Sequence, residues 1–282
     1  KFKPNLRQNK SKGEAAMSKK KKAIVISSSI VGGLMIAVLL GLIFTGYFVG
    51  WGPFNKMSNI RFRKLPGNAD KYSVENVKPL AESPLKGMNI CYLGSSVTYG
   101  AASLQESFVE FIAKRNGTTY VKEAVSGTTL VTTGAGGGSY VSRMKKLDKN
   151  AKFDLFVCQL STNDASQNKP LGNTDSTDTT TVCGAINTII DYVKTTWNCP
   201  VVFYTNAYYE NDSYAAMVAA VKKIATIKGI GVIDLYTDEA FNDITSEQRA
   251  LYMADKIHPT KAGYLEWWTP KMEQFLYEAV RH

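Results

Sequence analysis

The chain has 282 residues, of which 44% are hydrophobic and 11% aromatic, enough apolar side chain for a sizeable core and too much for a disordered protein. The net charge is +10, but nine Lys or Arg and a single acid, Glu14, fall in residues 1–22, so this tail holds +8 and everything after it only +2. A near-neutral remainder offers no basic stripe to a phosphate backbone, which excludes nucleic-acid binding by the globular part.

Residues 1–22 read as a basic cytoplasmic tail. Residues 23–55 carry no charge and 24–49 are apolar or small throughout. Roughly 20 residues rising about 1.5 Å each cross the hydrocarbon core of a bilayer, so 23–50 is expected to be a transmembrane helix. The apolar region of a cleaved signal peptide is shorter, about 7–15 residues, which favours a retained anchor. Tyr47, Phe48 and Trp51 fall where an interfacial aromatic belt lies. Lys19 to Lys22 should hold the N-terminal side in the cytoplasm, giving a single-pass cell-membrane protein with its C-terminal domain extracellular.

Residues 51–87 include Pro53, Pro66, Pro79 and Pro84 and few periodic apolar positions, which predicts a stalk or linker that lies along the domain with little regular structure. From 88 to 282 the pattern alternates. Strands are expected over 88–93, 120–125, 153–160, 201–205 and 231–235, and helices over 104–114, 140–147, 182–196, 214–227 and 260–280. Short continuous apolar runs between amphipathic segments are strands buried on both faces of a parallel sheet, hence an α/β domain. In such sheets ligands bind beyond the carboxyl ends of the strands. Cys91 and Cys158 sit in strand-like runs as small buried hydrophobes. Cys183 and Cys199 lie near opposite ends of one predicted helix, too far apart to bridge, and the spacing of the four matches no metal site.

Four short pieces follow those strand ends or precede the last helix. Gly94-Ser95-Ser96-Val97-Thr98-Tyr99-Gly100 is a strand-to-helix turn that presents a hydroxyl, with backbone N–H groups able to hold an oxyanion. Asp255-Lys256-Ile257-His258-Pro259 holds the plausible imidazole base, since the other histidine, His282, is terminal. An acid three residues before His258 can reach the second ring nitrogen. Ser126-Gly127-Thr128-Thr129 and Ser161-Thr162-Asn163-Asp164 follow the second and third strands. The Gly127 N–H and the Asn163 amide are neutral donors suited to a developing negative oxygen.

In this order the four pieces resemble the sequence blocks of the SGNH (GDSL-like) hydrolases, over about residues 88–282. The resemblance implies a flavodoxin-like three-layer α/β/α fold on a five-stranded parallel sheet. It implies Ser96 as nucleophile, His258 and Asp255 as the rest of a triad, and an oxyanion hole formed by Ser96, Gly127 and Asn163. It also implies hydrolysis or transfer of ester-linked acyl groups without a metal or organic cofactor. Two positions depart from the family pattern: Ser95 stands where the first block usually has Asp, which should alter the bonds supporting the nucleophile loop. Ser161 stands where the third has Gly, adding a side chain near the oxyanion site.

Gly134-Ala135-Gly136-Gly137-Gly138-Ser139 has no Lys after its last glycine and reads as a rim loop rather than a phosphate loop. The Asn-, Asp- and Thr-rich stretch 166–181 is a second rim loop, and Asn206, Tyr208, Tyr209 and Trp268 are candidates for contact with a sugar. The expected function is that of a membrane-anchored extracellular serine esterase acting on O-acetylated carbohydrate or another small ester. The same triad would serve an O-acetyltransferase, and a non-catalytic glycan-binding surface protein is the reading from a different class.

Overall fold

The computed structural model describes residues 31–49, 54, 57–132 and 138–280. The chain divides into two compact units, Lys1–Ser58 and Asn59–His282. In the first, residues 31–44 are α-helical and run into the π-helical turn Thr45–Val49, with large apolar side chains such as Leu34, Met35 and Leu40 exposed. Among the described residues no helix is long and apolar enough to cross a membrane. The expected 23–50 span begins outside them, and the basic tail, most of the glycine-rich run at 134–138 and His282 lie outside them as well.

The second unit is built on five parallel strands: β1 Asn89–Gly94, β2 Thr119–Ala124, β3 Leu155–Gln159, β4 Val201–Tyr204 and β5 Gly231–Ile233. Their order across the sheet is β2-β1-β3-β4-β5. The winding direction therefore reverses between β1 and β3, and a crevice opens at their carboxyl ends.

Alternate residues of a strand face opposite sides, and the core divides accordingly. Cys91, Leu93, Phe156, Cys158, Val201 and Phe203 pack on one side with α3 Tyr140–Met144, α5 Val182–Thr196 and α6 Asp212–Lys228. Ile90, Tyr92, Leu155, Val157, Val202 and Tyr204 pack on the other with α2 Phe108–Asn116 and α9 Thr269–Ala279. The remaining helices are short: α1 Ser96–Tyr99, α4 Thr162–Ser166, α7 Glu239–Asn242 and α8 Ser246–Tyr252.

Two helices depart from the sequence expectation for local reasons. The segment expected to be helical from 104 turns first, with Leu104 and Gln105 at φ 59° and 74°. The helix starts only where Ser107 and Glu110 form a reciprocal capping box. The closing segment expected over 260–280 is resolved into a π-helical turn, Gly263–Trp268, followed by α9. Residues 59–76 form short helical turns and 77–87 carry no helix; Tyr72, Val77 and Leu85 of this segment are part of the core on the α2 and α9 side. All four cysteines are unpaired and buried. Burial pushes the Cys199 thiol up to about 11 and raises the other three, so none is poised as a thiolate.

Candidate active site

The C-terminal piece forms a tight hairpin. Met253 and Pro259 make an antiparallel bridge, and the Ala254 N–H donates to the His258 carbonyl at 2.9 Å. Within the loop, Asp255 Oδ1 accepts the N–H groups of Ile257 and His258, both at 2.8 Å. The same carboxylate meets the ring, with Oδ2 2.8 Å and Oδ1 3.0 Å from His258 Nδ1. Burial pushes the Asp255 carboxyl upward, but the hydrogen bond and charge of His258 and the two backbone N–H groups outweigh it and bring it down to about 2. Asp255 is thus an ionised partner that fixes which ring nitrogen faces outward.

That nitrogen, Nε2, lies 2.8 Å from Ser96 Oγ, across 162 residues of chain. Ser96 is the first residue of α1, separated from β1 only by Ser95, so its own N–H has no intrahelical partner. The turn is held from below by Gln159 at the end of β3. Its Oε1 accepts the Ser95 N–H at 2.8 Å, the Ser95 hydroxyl at 3.3 Å and the Thr98 hydroxyl at 2.9 Å. The Tyr204 hydroxyl lies 2.6 Å from Thr98 Oγ1, and the Tyr264 hydroxyl donates to the Val97 carbonyl at 2.6 Å. Ser95, in place of the family's Asp, therefore donates to Gln159, whose Nε2 stays buried without a partner.

Gly127 stands at the third position of a turn from Val125 to Thr128, closed by a 3.4 Å backbone bond. Its φ of +79° is the one such a turn demands of a glycine. The turn is tied to α4 by Asn163 Nδ2, which donates to the Thr128 carbonyl at 2.9 Å and keeps a second N–H. Ser161 caps α4 through the Asn163 N–H and donates to the same Thr128 carbonyl at 3.3 Å, so its added side chain buttresses the loop. Asp164 is fully buried and its carboxylate accepts the N–H groups of Leu130 and Val131 at 2.7 and 3.2 Å. Burial raises this carboxyl against the pull of those bonds.

Arg143 of α3 was not foreseen as part of the site, yet it joins its pieces. All five N–H groups are used: Nε donates to the Gly138 carbonyl, Nη1 to the carbonyl and carboxylate of Glu123, and Nη2 to the Gly94 carbonyl and the Thr128 hydroxyl, at 2.8 to 3.3 Å. One planar fork thus holds the end of β1, the end of β2 and the Gly127 turn in a single register. The signal in the sequence is slight, since Arg143 is one of three basic residues, with Lys145 and Lys146, in the helix expected over 140–147.

The sugar-contact candidates divide. Tyr208 is half exposed, with its ring centroid 5.2 Å from that of Tyr236. Asn206 is buried: its Nδ2 donates to the Ala207 carbonyl, its backbone N–H to the Tyr214 hydroxyl, and its Oδ1 has no partner. Trp268 does not face the site. It closes the π-helical turn and is fully buried among Phe108, Tyr204 and Phe241.

Residues 92–265 match the model of the GDSL-like lipase/acylhydrolase family. The chain belongs to this family, that of the SGNH hydrolases, and is a hydrolase of carboxylic esters. Among solved structures, a protein from Lactobacillus plantarum superposes with a TM-score of 0.60 at 20% identity, covering 68% of this chain and 98% of its own. A protein from Bacteroides ovatus assigned to the GDSL-like lipases gives 0.52 at 20% identity, covering 68% and 99%. One from Desulfitobacterium hafniense assigned to the G-D-S-L lipolytic proteins gives 0.53 at 14%, covering 67% and 99%. At such identities the likeness is one of fold. Comparison with curated proteins finds no match.

Proposed function

We propose that the protein is a membrane-anchored extracellular serine esterase that removes acyl groups, foremost O-acetyl, from carbohydrate. The observation that carries the chemistry is the 2.8 Å contact between Ser96 Oγ and His258 Nε2, with Asp255 on the opposite ring nitrogen. His258 takes the Ser96 proton as Oγ attacks the ester carbonyl, and the N–H groups of Ser96 and Gly127 with the Asn163 amide hold the oxyanion. The bond to the alcohol oxygen breaks, the alcohol leaves with the proton from His258, and Ser96 keeps the acyl group. Water then gives a proton to His258 and attacks the acyl-enzyme; the acid departs and Ser96 regains its proton. Asp255 orients the imidazole and stabilises its charged form without taking the proton.

The uncharged run 23–50 behind Lys19 to Lys22 supports a single-pass anchor with the domain outside the cell. The polar stretch 166–181 and the exposed Tyr208 support a hydroxylated substrate. The test gives the full chain in detergent an aryl acetate and then an acetylated polysaccharide, beside Ser96→Ala and His258→Ala. Acetate released by the parent and by neither variant supports the esterase. Equal background in all three points to a binding protein, and acetyl groups appearing on an added glycan point to transfer.

A further inference from the structure

Asp255 and His258 belong to the same hairpin, so their mutual hydrogen bonds fix the ring within the loop but not the loop against Ser96. Something outside the hairpin must do that, and part of it comes from the segment before β1, which precedes the residues matched by the family model. Asn68, in the short turn Pro66–Asn68, is buried and uses its amide three times. Nδ2 donates to the Phe62 carbonyl at 2.9 Å and to the Ala102 carbonyl at 2.7 Å, while Oδ1 accepts the Lys261 N–H at 2.8 Å. One side chain thus joins its own segment, the stretch after α1 and the third residue beyond His258.

Two further contacts act on the same loop. Gly67 lies so close to the Leu251 carbonyl and the Thr260 side chain that a Cβ would overlap both. Lys261 is 4% exposed, and its Nζ donates to Ser73 Oγ at 2.8 Å and pairs with Glu106 Oε1 at 2.7 Å. The second oxygen of Glu106 accepts the Val74 N–H at 2.7 Å. A buried ammonium keeps its acceptors because losing one leaves it uncompensated, so the Ser73–Lys261–Glu106 group locks the segment to the root of the histidine loop. Tyr264, bonded to the Val97 carbonyl, is a tie from within the domain.

We propose that residues 66–74 complete the active site: Asn68, seconded by Ser73, is a positioning residue that sets the distance from His258 Nε2 to Ser96 Oγ. This rests on the reading of Ser96 and His258 as catalytic. A misplacement of about 1 Å is enough to cost on the order of 10²-fold in rate, and it acts on turnover because the side chains of Asn68 and Ser73 bond to Phe62, Ala102 and Lys261 and not to the proposed oxyanion donors.

The experiment measures kcat and KM for an aryl acetate with the full chain in detergent, for the parent, Asn68→Ala, Ser73→Ala and Ser96→Ala, with a thermal melt of each. Asn68→Ala, folded at the assay temperature, is expected to lose at least about tenfold in kcat with KM within about twofold of the parent, and Ser73→Ala about threefold. A folded Asn68→Ala with parental kcat overturns the proposal. If that variant does not fold, Ser73→Ala decides alone: reduced kcat at parental KM supports the proposal and parental kcat overturns it. Turnover that survives in Ser96→Ala refutes the catalytic reading and this inference with it. Turnover lost in Ser96→Ala but intact in both positioning variants refutes the inference only.

Discussion

A serine hydroxyl becomes a nucleophile when a base accepts its proton, and His258 Nε2 is in reach of Ser96 Oγ. Ser96→Ala and His258→Ala are each expected to lower kcat/KM for an aryl acetate by roughly 10⁴- to 10⁶-fold in steady-state assays. Asp255→Asn keeps the shape but loses the ionised partner, and a fall of about 10²- to 10⁴-fold is expected. The carboxyl of Asp255 is held at about 2 in the folded protein, below its ordinary value of about 3.9. Its contribution to stability is therefore full above roughly pH 4 and fades as the pH falls through about 2. Urea denaturation across this range should find Asp255→Asn less stable than the parent near about pH 5, with the gap closing toward about pH 2; a gap that widens on acidification contradicts the assignment. Arg143→Met removes the charged donor from the carbonyls of Gly94 and Glu123 and from the Thr128 hydroxyl, leaving Gly94 only the longer bond from the Val125 N–H at 3.3 Å. It should cost about 2–4 kcal/mol in the same denaturation experiment, since hydrogen bonds to a charged group contribute about 1.5–3 each before relaxation. Ser96, Asp255 and His258 could be singled out in the sequence because their residue types and places at strand and loop ends suit a triad, and the structure brings their side chains within hydrogen-bonding distance. Arg143, Gln159 and Asn68 were not, because their partners lie far along the chain and only the fold brings them together.

At the scale of elements, β1 and β3 deliver Ser96 and Gln159 to the crevice while α2 and α9 seal the side beneath. Phe108 is the aromatic hub of that side, with ring centroids of Tyr92, Tyr204, Tyr264 and Trp268 within 5.1 to 6.3 Å. Phe108→Ala is expected to destabilise the domain by about 3–5 kcal/mol in urea denaturation; a cost near zero would mean that this layer does not bear on stability. β1, β3, β4 and α5 could be read from apolar runs and period, since a strand buried on both faces leaves little choice of residue, whereas the edge strands β2 and β5 are only partly buried. Turn chemistry was harder. Leu104 and Gln105 look helical by composition but adopt positive φ so that the Ser107–Glu110 box can start α2 one turn later. Trp268, which by residue type suits sugar contact and packing equally, lies in the π-helical turn and is fully buried. Short α4 was hidden for the opposite reason: five residues carry no periodicity, and its start is set by Ser161.

At the scale of the whole molecule, an anchor at 23–50 would fix the enzyme on one side of a membrane and direct it to esters attached to surface polymers. Protease treatment of intact cells is expected to remove the esterase activity without breaching the membrane, whereas protection until lysis contradicts the orientation. The proposed chemistry passes through an acyl group carried by one serine. The most direct measurement quenches the parent protein with acid during turnover of an aryl acetate and maps acetylated peptides by mass spectrometry. One acetyl group on Ser96, absent from Ser96→Ala, is the expected result. Turnover with no acyl group on Ser96, or with the group on another residue, would contradict it.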